Sequence, residues 1–311
     1  MRKKLILHSH PVMRSHIESG NHKLSNVLRN IFEGMGFGVH IAKQDKLSIW
    51  KAKYDGHYHI FHLGGADGTR TLNMRKAYFD PFWTIEKPHT RHWGRVAHKA
   101  FIPGTVGPGL ALPFFKRMQE RHIGNDGRTA EMTDYVLVPM QGKLCKQRAW
   151  QYADLATMVK TIREQDPDRQ IILKPHPRES YNTEECDVVR QLSAIPNVQI
   201  VEAPIQSLLA NCAYVVTQNS AVAFEGILFR KPAILFARSD FHHIFPVVKS
   251  PKDAFGAFNQ VHLRPFNFEK YLYWYLQMNC ANVSRPTAPS KVLEMLYEGG
   301  WTLPAQSAAA V

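Results

Sequence analysis

The chain has 311 residues, 44% of them hydrophobic and 21% charged, which suits a soluble globular protein with room for two cores of about 150 residues each. No apolar run reaches the roughly 18 residues of a membrane-spanning helix, and four scattered cysteines without a CxxC pair read as reduced buried or surface thiols. A formal charge of +13 and a pI near 9.6 favour polyanionic partners: nucleic acid, an anionic membrane, or an acidic or phosphorylated substrate.

The opening "MRKKLILHSHPV" has basic residues but only a short apolar stretch, too little for a signal-peptide core. It predicts a first strand over 4–9 in a cytoplasmic protein. Leu24, Val27, Leu28, Ile31, Phe32 and Met35 recur at offsets 3, 4, 7, 8 and 11, one face of an amphipathic helix. "VHIA" and "YHIFHLGG" read as the next strands, a β-α-β alternation typical of a parallel sheet. Between Arg70 and Lys99 seven Lys or Arg face only Asp80 and Glu86, with Tyr78, Phe79, Phe82, Trp83 and Trp93 interleaved. A charge run is most often a solvated face; the aromatics make a binding surface an equal reading.

Residues 103–130 hold "PGTVGPG" and "GNDGR", both turn-rich. A second, cleaner β/α series follows: strand "DYVLVPMQ", helix 151–165, strand "QIILKPHP", a helix near 182–193, strand "VQIVEA", a short helix 204–211, strand "AYVVTQ", helix 220–229 and strand "AILFA". "FEKYLYWYLQM" and "SKVLEMLYEG" read as C-terminal helices, and "PAQSAAAV" as a frayed tail. The expected division is 1–133, 134–265 and 266–311: two Rossmann-like β/α domains facing across a cleft, then helices. In such sheets ligands bind beyond the carboxyl ends of the strands.

Two unusual polar motifs fall at such ends. Lys174-Pro175-His176-Pro177 follows a strand, and its prolines fix the backbone around His176. A rigid histidine there can donate to a phosphate or leaving-group oxygen, although a structural His in a Pro-rich turn is the plainer alternative. Gln218-Asn219-Ser220 ends a later strand and opens a helix. Ser220 or Asn219 would cap it and leave the amides of Ala221 and Val222 open as an anion seat. Glu225, among Ala221, Val222, Phe224, Ile227 and Leu228, is placed to accept bonds from vicinal hydroxyls; an exposed helix residue is the alternative. Together the motifs describe a nucleotide phosphate clamp with no acidic metal cluster. The 16 histidines form clusters at 8 and 10, at 57, 59 and 62, and at 242 and 243, none with a zinc spacing, so no metal is expected.

The strand ending "KPHP", then "QNS", a helix with an early Glu and "KPAILF", resemble capsule polysaccharide biosynthesis proteins, including capsule-type Kdo transferases of the two-Rossmann-domain (GT-B) kind. "VLVPMQ" and "ARSDFHHIF" are similar to further segments of that family. The resemblance implies a glycosyltransferase that moves a sugar from a nucleotide donor, CMP-linked and Kdo-like, to a glycan or lipid-linked acceptor. It implies nucleotide contacts from Lys174, His176, Gln218, Asn219, Ser220 and Glu225, no cofactor beyond the nucleotide-sugar, and a catalytic carboxylate in the first domain. Asp67, in "FHLGGADGTR", is the first candidate and joins His176 as a catalytic residue; Asp80 and Glu86 are runners-up, and an Asx turn is an even alternative for Asp67. Arg70, Arg75, Lys76 and Arg91 are the acceptor-side candidates, meeting an acidic glycan or an anionic membrane on the inner face of the plasma membrane. The rival readings are a polyol-phosphate transferase using CDP-glycerol and a non-catalytic polyanion binder. No nucleic-acid motif supports a nucleic-acid partner.

Overall fold

The computed structural model describes residues 3–65, 67–123 and 134–304. Ala66, the "GNDGR" turn and residues 305–311 of the tail lie outside them. The chain divides into two compact units, residues 1–99 with 274–311, and residues 100–273.

The first unit opens β1 (Lys4–Ser9), α1 (Pro11–Glu18), α2 (Lys23–Gly34), β2 (Gly38–Lys43), α3 (Lys46–Lys51) and β3 (Tyr58–His62). The helix read from the 3.6 period is α2, and Leu24, Leu28, Ile31 and Phe32 are its buried face. The charge run then folds as a hairpin, β4 (Thr71–Lys76) and β5 (Phe82–Glu86). After the second unit the chain returns as β11 (Ala281–Asn282) and α11 (Ala288–Glu298). The sheet order is β11-β5-β4-β3-β1-β2. β2, β1, β3 and β4 are mutually parallel, while β5 and β11 pair antiparallel. Leu5, Leu7, Ile60, Leu72, Met74 and Ile85 point to one face and meet α2 and α11 in a single core.

The second unit contains α4 (Pro108–His122), β6 (Tyr135–Pro139), α5 (Leu155–Gln165), β7 (Gln170–Lys174), α6 (Thr183–Ser193), β8 (Val198–Ile200), α7 (Ile205–Asn211), β9 (Tyr214–Thr217), α8 (Ala221–Gly226), β10 (Ala233–Leu235), α9 (Ala254–Leu263) and α10 (Phe268–Tyr273). Its sheet is wholly parallel, in the order β10-β9-β6-β7-β8. That is the doubly wound order, with its reversal between β6 and β9. β6, β9 and β10 are buried on both faces, as their unbroken apolar runs require, while edge strand β8 exposes Gln199 and Ile200.

Four expectations shift. Between the two turn-rich motifs, where no helix was expected, residues 108–122 form α4, because Ala111, Phe114, Phe115 and Met118 give a helical buried stripe that outweighs the glycines and Pro113. α5 starts at Leu155 rather than near 151, where Asp154 caps the Thr157 amide at 2.8 Å. The helix expected over 220–229 is α8 followed by a single 3-10 turn, Ile227–Phe229. The units part at 99/100 and 273/274 rather than at 133 and 265. α4 and α10 pack together in the second unit, Phe114 meeting Tyr273 edge to face, while Val292, Met295 and Leu296 of α11 complete the core of the first.

Candidate functional site

In the second unit, β9, β6 and β7 are neighbours, so their carboxyl ends lie side by side at the sheet's reversal point. Gln218-Asn219-Ser220 leaves β9, Met140-Gln141-Gly142 leaves β6, and Pro175-His176-Pro177 leaves β7. The resemblance motifs thus occupy one edge.

That edge is braced from below. Met140 N–H donates to the Lys174 carbonyl at 2.9 Å, extending the β6–β7 ladder by a residue. Glu185, buried in the capping box of α6, accepts from Leu144 N–H at 2.7 Å and ties the loop after β6 to that helix. A Cβ on Gly142 would sit 2.1 Å from Glu179 Oε2, so the loops after β6 and β7 meet there through the end of the Glu179 side chain. A small pocket opens there, lined by Pro139, Gln141, Gly142, Leu144, Met158 and Gln218.

His176 is exposed. Its amide donates to Tyr181 Oη at 3.0 Å, and its ring Nδ1 accepts from Arg178 N–H at 3.2 Å. An Nδ1 that accepts puts the proton of a neutral imidazole on Nε2, so the ring presents an N–H donor outward. Lys174 is half-buried and its Nζ donates to the Pro175 carbonyl at 3.0 Å.

At β9 the roles divide. Gln218 Nε2 donates to the Ala153 carbonyl at 2.8 Å and Asn219 Nδ2 to the Arg238 carbonyl at 3.2 Å, so both amides hold the turn in place. Ser220 caps α8, its Oγ accepting from Val222 N–H at 3.3 Å. Of the two amides expected to be open, Val222's is therefore occupied by the cap. Glu225 is half-buried beside Phe224 and Ile227, and burial alone raises its pKa. Among the described residues it has neither a hydrogen bond nor an ion pair to offset that cost.

The first unit disposes of its candidates differently. Arg75 is 3% exposed, pairs with Glu86 at 3.1 Å and donates to the Pro88 and His89 carbonyls. It is a brace within the unit, not a surface ligand for an acceptor. Glu86 also accepts from the Arg95 amide, which removes it as a free catalytic carboxylate. Lys76 pairs with Asp80. Arg91 donates to the Lys76 carbonyl at 2.7 Å and lies 4.4 Å from the Tyr78 ring centroid. Arg70 donates to the Gly56 carbonyl and stands 5.4 Å from the Tyr58 centroid. Phe79, Phe82 and Trp83, read as part of a binding face, are buried; Trp93 is half-exposed. Asp67 is exposed in the turn between β3 and β4, where Gly68 N–H donates to Thr71 Oγ1 at 2.8 Å.

Sequence reasoning missed two features. Gln141 Oε1, just past the end of β6, is shielded without a hydrogen-bond partner among the described residues; its place after an unbroken strand was the available signal. In the first unit Asp55, His59 and His8 form a line, with His59 Nε2 at 2.8 Å from Asp55 Oδ1 and His59 Nδ1 at 2.9 Å from His8 Nε2. Burial pushes His8 down to about 4 and lowers His59. The contact spans 51 residues, beyond any local pattern. Among the described residues no three His, Cys, Asp or Glu gather as a metal site.

The fold defines a two-unit α/β protein whose second unit has the doubly wound Rossmann order. Residues 113–244 match the family model described as "Capsule polysaccharide biosynthesis protein", a span that takes in the five strands of that unit and every residue named at its edge. No curated protein sequence matches the chain. Among solved structures it is similar to the β-Kdo 2,7-transferase of Thermosulfurimonas dismutans KpsC, with 12% identity, a TM-score of 0.48, and coverage of 82% of this chain and 90% of that one. It is also similar to the Methanocaldococcus jannaschii UDP-GlcNAc 2-epimerase in complex with UDP-GlcNAc and UDP, with 13% identity, a TM-score of 0.43, and coverage of 96% and 100%. A third likeness, to the wall teichoic acid polymerase TagF, has 13% identity and a TM-score of 0.29, covering 60% of this chain and 45% of that one.

Proposed function

We propose that the chain is a metal-independent glycosyltransferase of capsule or related surface polysaccharide synthesis, which takes a Kdo-like sugar from a CMP-activated donor. The observation that carries this reading is Glu225: a half-buried carboxylate one turn into α8, raised in pKa by burial and without a partner among the described residues. Such a group suits the vicinal hydroxyls of a ribose, each of which would donate to it. His176, two strands away along the same edge, offers an Nε2 donor to the departing phosphate, where charge grows as the glycosidic bond breaks. The family match over 113–244 supplies the polysaccharide context. In this reading the first unit receives a glycan or lipid-linked acceptor, Asp67 serves as base or nucleophile, and the protein works peripherally at the inner face of the plasma membrane.

A thermal-shift panel of CMP, CDP, UDP and GDP tests it. CMP should raise the Tm of the wild type, and His176→Ala and Glu225→Ala should each abolish the rise. Stabilisation by none of the four sinks the reading. Stabilisation by CDP, with turnover of CDP-glycerol, transfers the site to polyol-phosphate chemistry. Full turnover in Asp67→Ala removes Asp67 from the mechanism.

A further inference from the structure

We infer that the outward face of α3 is a docking surface for an anionic lipid bilayer. The inference concerns the first unit alone and does not depend on the donor proposed for the second. α3 and the turn after it present Leu47, Trp50 and Tyr54, which are 57%, 60% and 72% exposed. An offset of 3 places Leu47 and Trp50 on one face of the helix, and Tyr54 continues that side in the turn that follows. The rings of Trp50 and Tyr54 lie 5.5 Å apart, so the stripe is continuous.

The stripe stands on a fixed base. Asp45 and Ser48 close a reciprocal capping box at the start of α3. On the opposite side of the helix Ile49 and Ala52 pack against Phe61 of β3. A short helix anchored at its cap and its inner face holds its outer side chains in place without a long amphipathic segment.

Lysines border the stripe. Lys43, Lys46, Lys51 and Lys53 are all exposed, and among the described residues none of them joins an ion pair. Against them residues 43–54 hold one acid, Asp45, so the segment carries four positive charges and one negative, a net +3. Four of the seven cations of residues 70–99 behave otherwise: Arg75, Lys76, Arg95 and Lys99 are each matched by a carboxylate.

A leucine and two amphipathic aromatics ringed by free lysines suit the boundary between headgroups and acyl chains. The apolar side chains sink, the indole and phenol sit at headgroup level, and the lysines reach lipid phosphates on flexible stems. The charge pattern argues against other occupants. Lysine is depleted at the centre of protein interfaces, and a second copy would bring the same +3 against itself.

The test is co-sedimentation of the full chain with vesicles of two parts phosphatidylcholine to one part phosphatidylglycerol, and with phosphatidylcholine alone. The wild type should pellet with the anionic vesicles, and less so as salt rises. Replacing Leu47 and Trp50 together by alanine should weaken partitioning about tenfold or more. Each of Lys46→Gln, Lys51→Gln and Lys53→Gln should weaken it about fivefold. Lys87→Gln, an exposed lysine elsewhere in the unit, should leave it unchanged. These residues are on the surface, so Tm and the CMP shift should stay at wild-type values; loss of the CMP shift in the wild type would count against the donor site and not against this surface. Wild type that stays in the supernatant with anionic vesicles overturns the inference. So does equal pelleting with phosphatidylcholine alone, equal pelleting of the Leu47/Trp50 variant, or a vesicle-free dimer that this variant abolishes.

Discussion

Residues 70–99 and the strand-end loops at 174–178 and 218–225 offer the same kind of signal in sequence: concentrated polar and charged side chains beside a predicted strand. The structure treats them in opposite ways. In the first region Arg75 finds Glu86, Lys76 finds Asp80, and Arg95 and Lys99 find Glu298. In the second, the His176 side chain is held through its Nδ1 and leaves Nε2 outward, and the Glu225 carboxylate has no partner among the described residues. Charge density is thus a poor guide to a site. A polar group denied a partner inside the fold is a better one, because its burial has a cost that the fold itself does not offset.

The contrast can be broken or sharpened by experiment. The largest effect belongs to the braced region. Arg75→Ala leaves Glu86 buried without its counter-ion and should destabilise the protein by about 3–5 kcal/mol in urea melts. A variant that melts like the wild type would show that the pair does not brace the unit. Next in size is acid sensitivity. Burial holds His8 and His22 at about 4 against an ordinary 6.5, so the unfolded chain takes up their protons first. Stability is therefore whole above about 6.5 and lost as pH falls toward about 4, by roughly 3 kcal/mol for each histidine. Melts across that interval should show the fall, and His8→Gln should reduce it.

At the unbraced edge stability and binding should part company. The raised pKa of Glu225 means that the native state holds its proton more tightly than the unfolded chain, so the group costs stability as pH rises above 4.5. Glu225→Gln should raise Tm at neutral pH while weakening CMP binding by roughly 10- to 100-fold, the loss expected for hydrogen bonds to a charged group. A variant that loses both would place Glu225 with the braces instead. The smallest effect is that of Ser220→Ala, about 1 kcal/mol of stability for the lost cap, readable as a small drop in Tm.

Much of the second unit was legible beforehand. Its inner strands β6 and β9 are apolar runs buried throughout, and Ser220, one of the two caps expected at that turn, does cap α8, so period and cap agree with the fold. The placement of "KPHP" and "QNS" at strand ends followed from the same local rules. The first unit was legible as far as β3 and again at α11, which was read as a helix though not as part of this unit. The β4–β5 hairpin was hidden because its sequence mixes arginine and lysine with buried aromatics, and the partner that makes Arg75 tolerable in a sheet lies across the hairpin at Glu86. α4 was hidden by glycines and two prolines, although its buried stripe has a helical spacing.

By itself the sequence determined the parallel β/α character, the cap and Pro-rich turns at the edge of the second sheet, and the presence of a lone glutamate after Ser220. These are local matters of period, propensity and backbone restriction. Tertiary structure alone decided that α11 completes the first core, that strand reversal falls between β6 and β9, and which polar groups find partners. Those outcomes depend on contacts between residues far apart in the chain, such as His8 with His59 or Arg95 with Glu298, whose pairing no local pattern encodes.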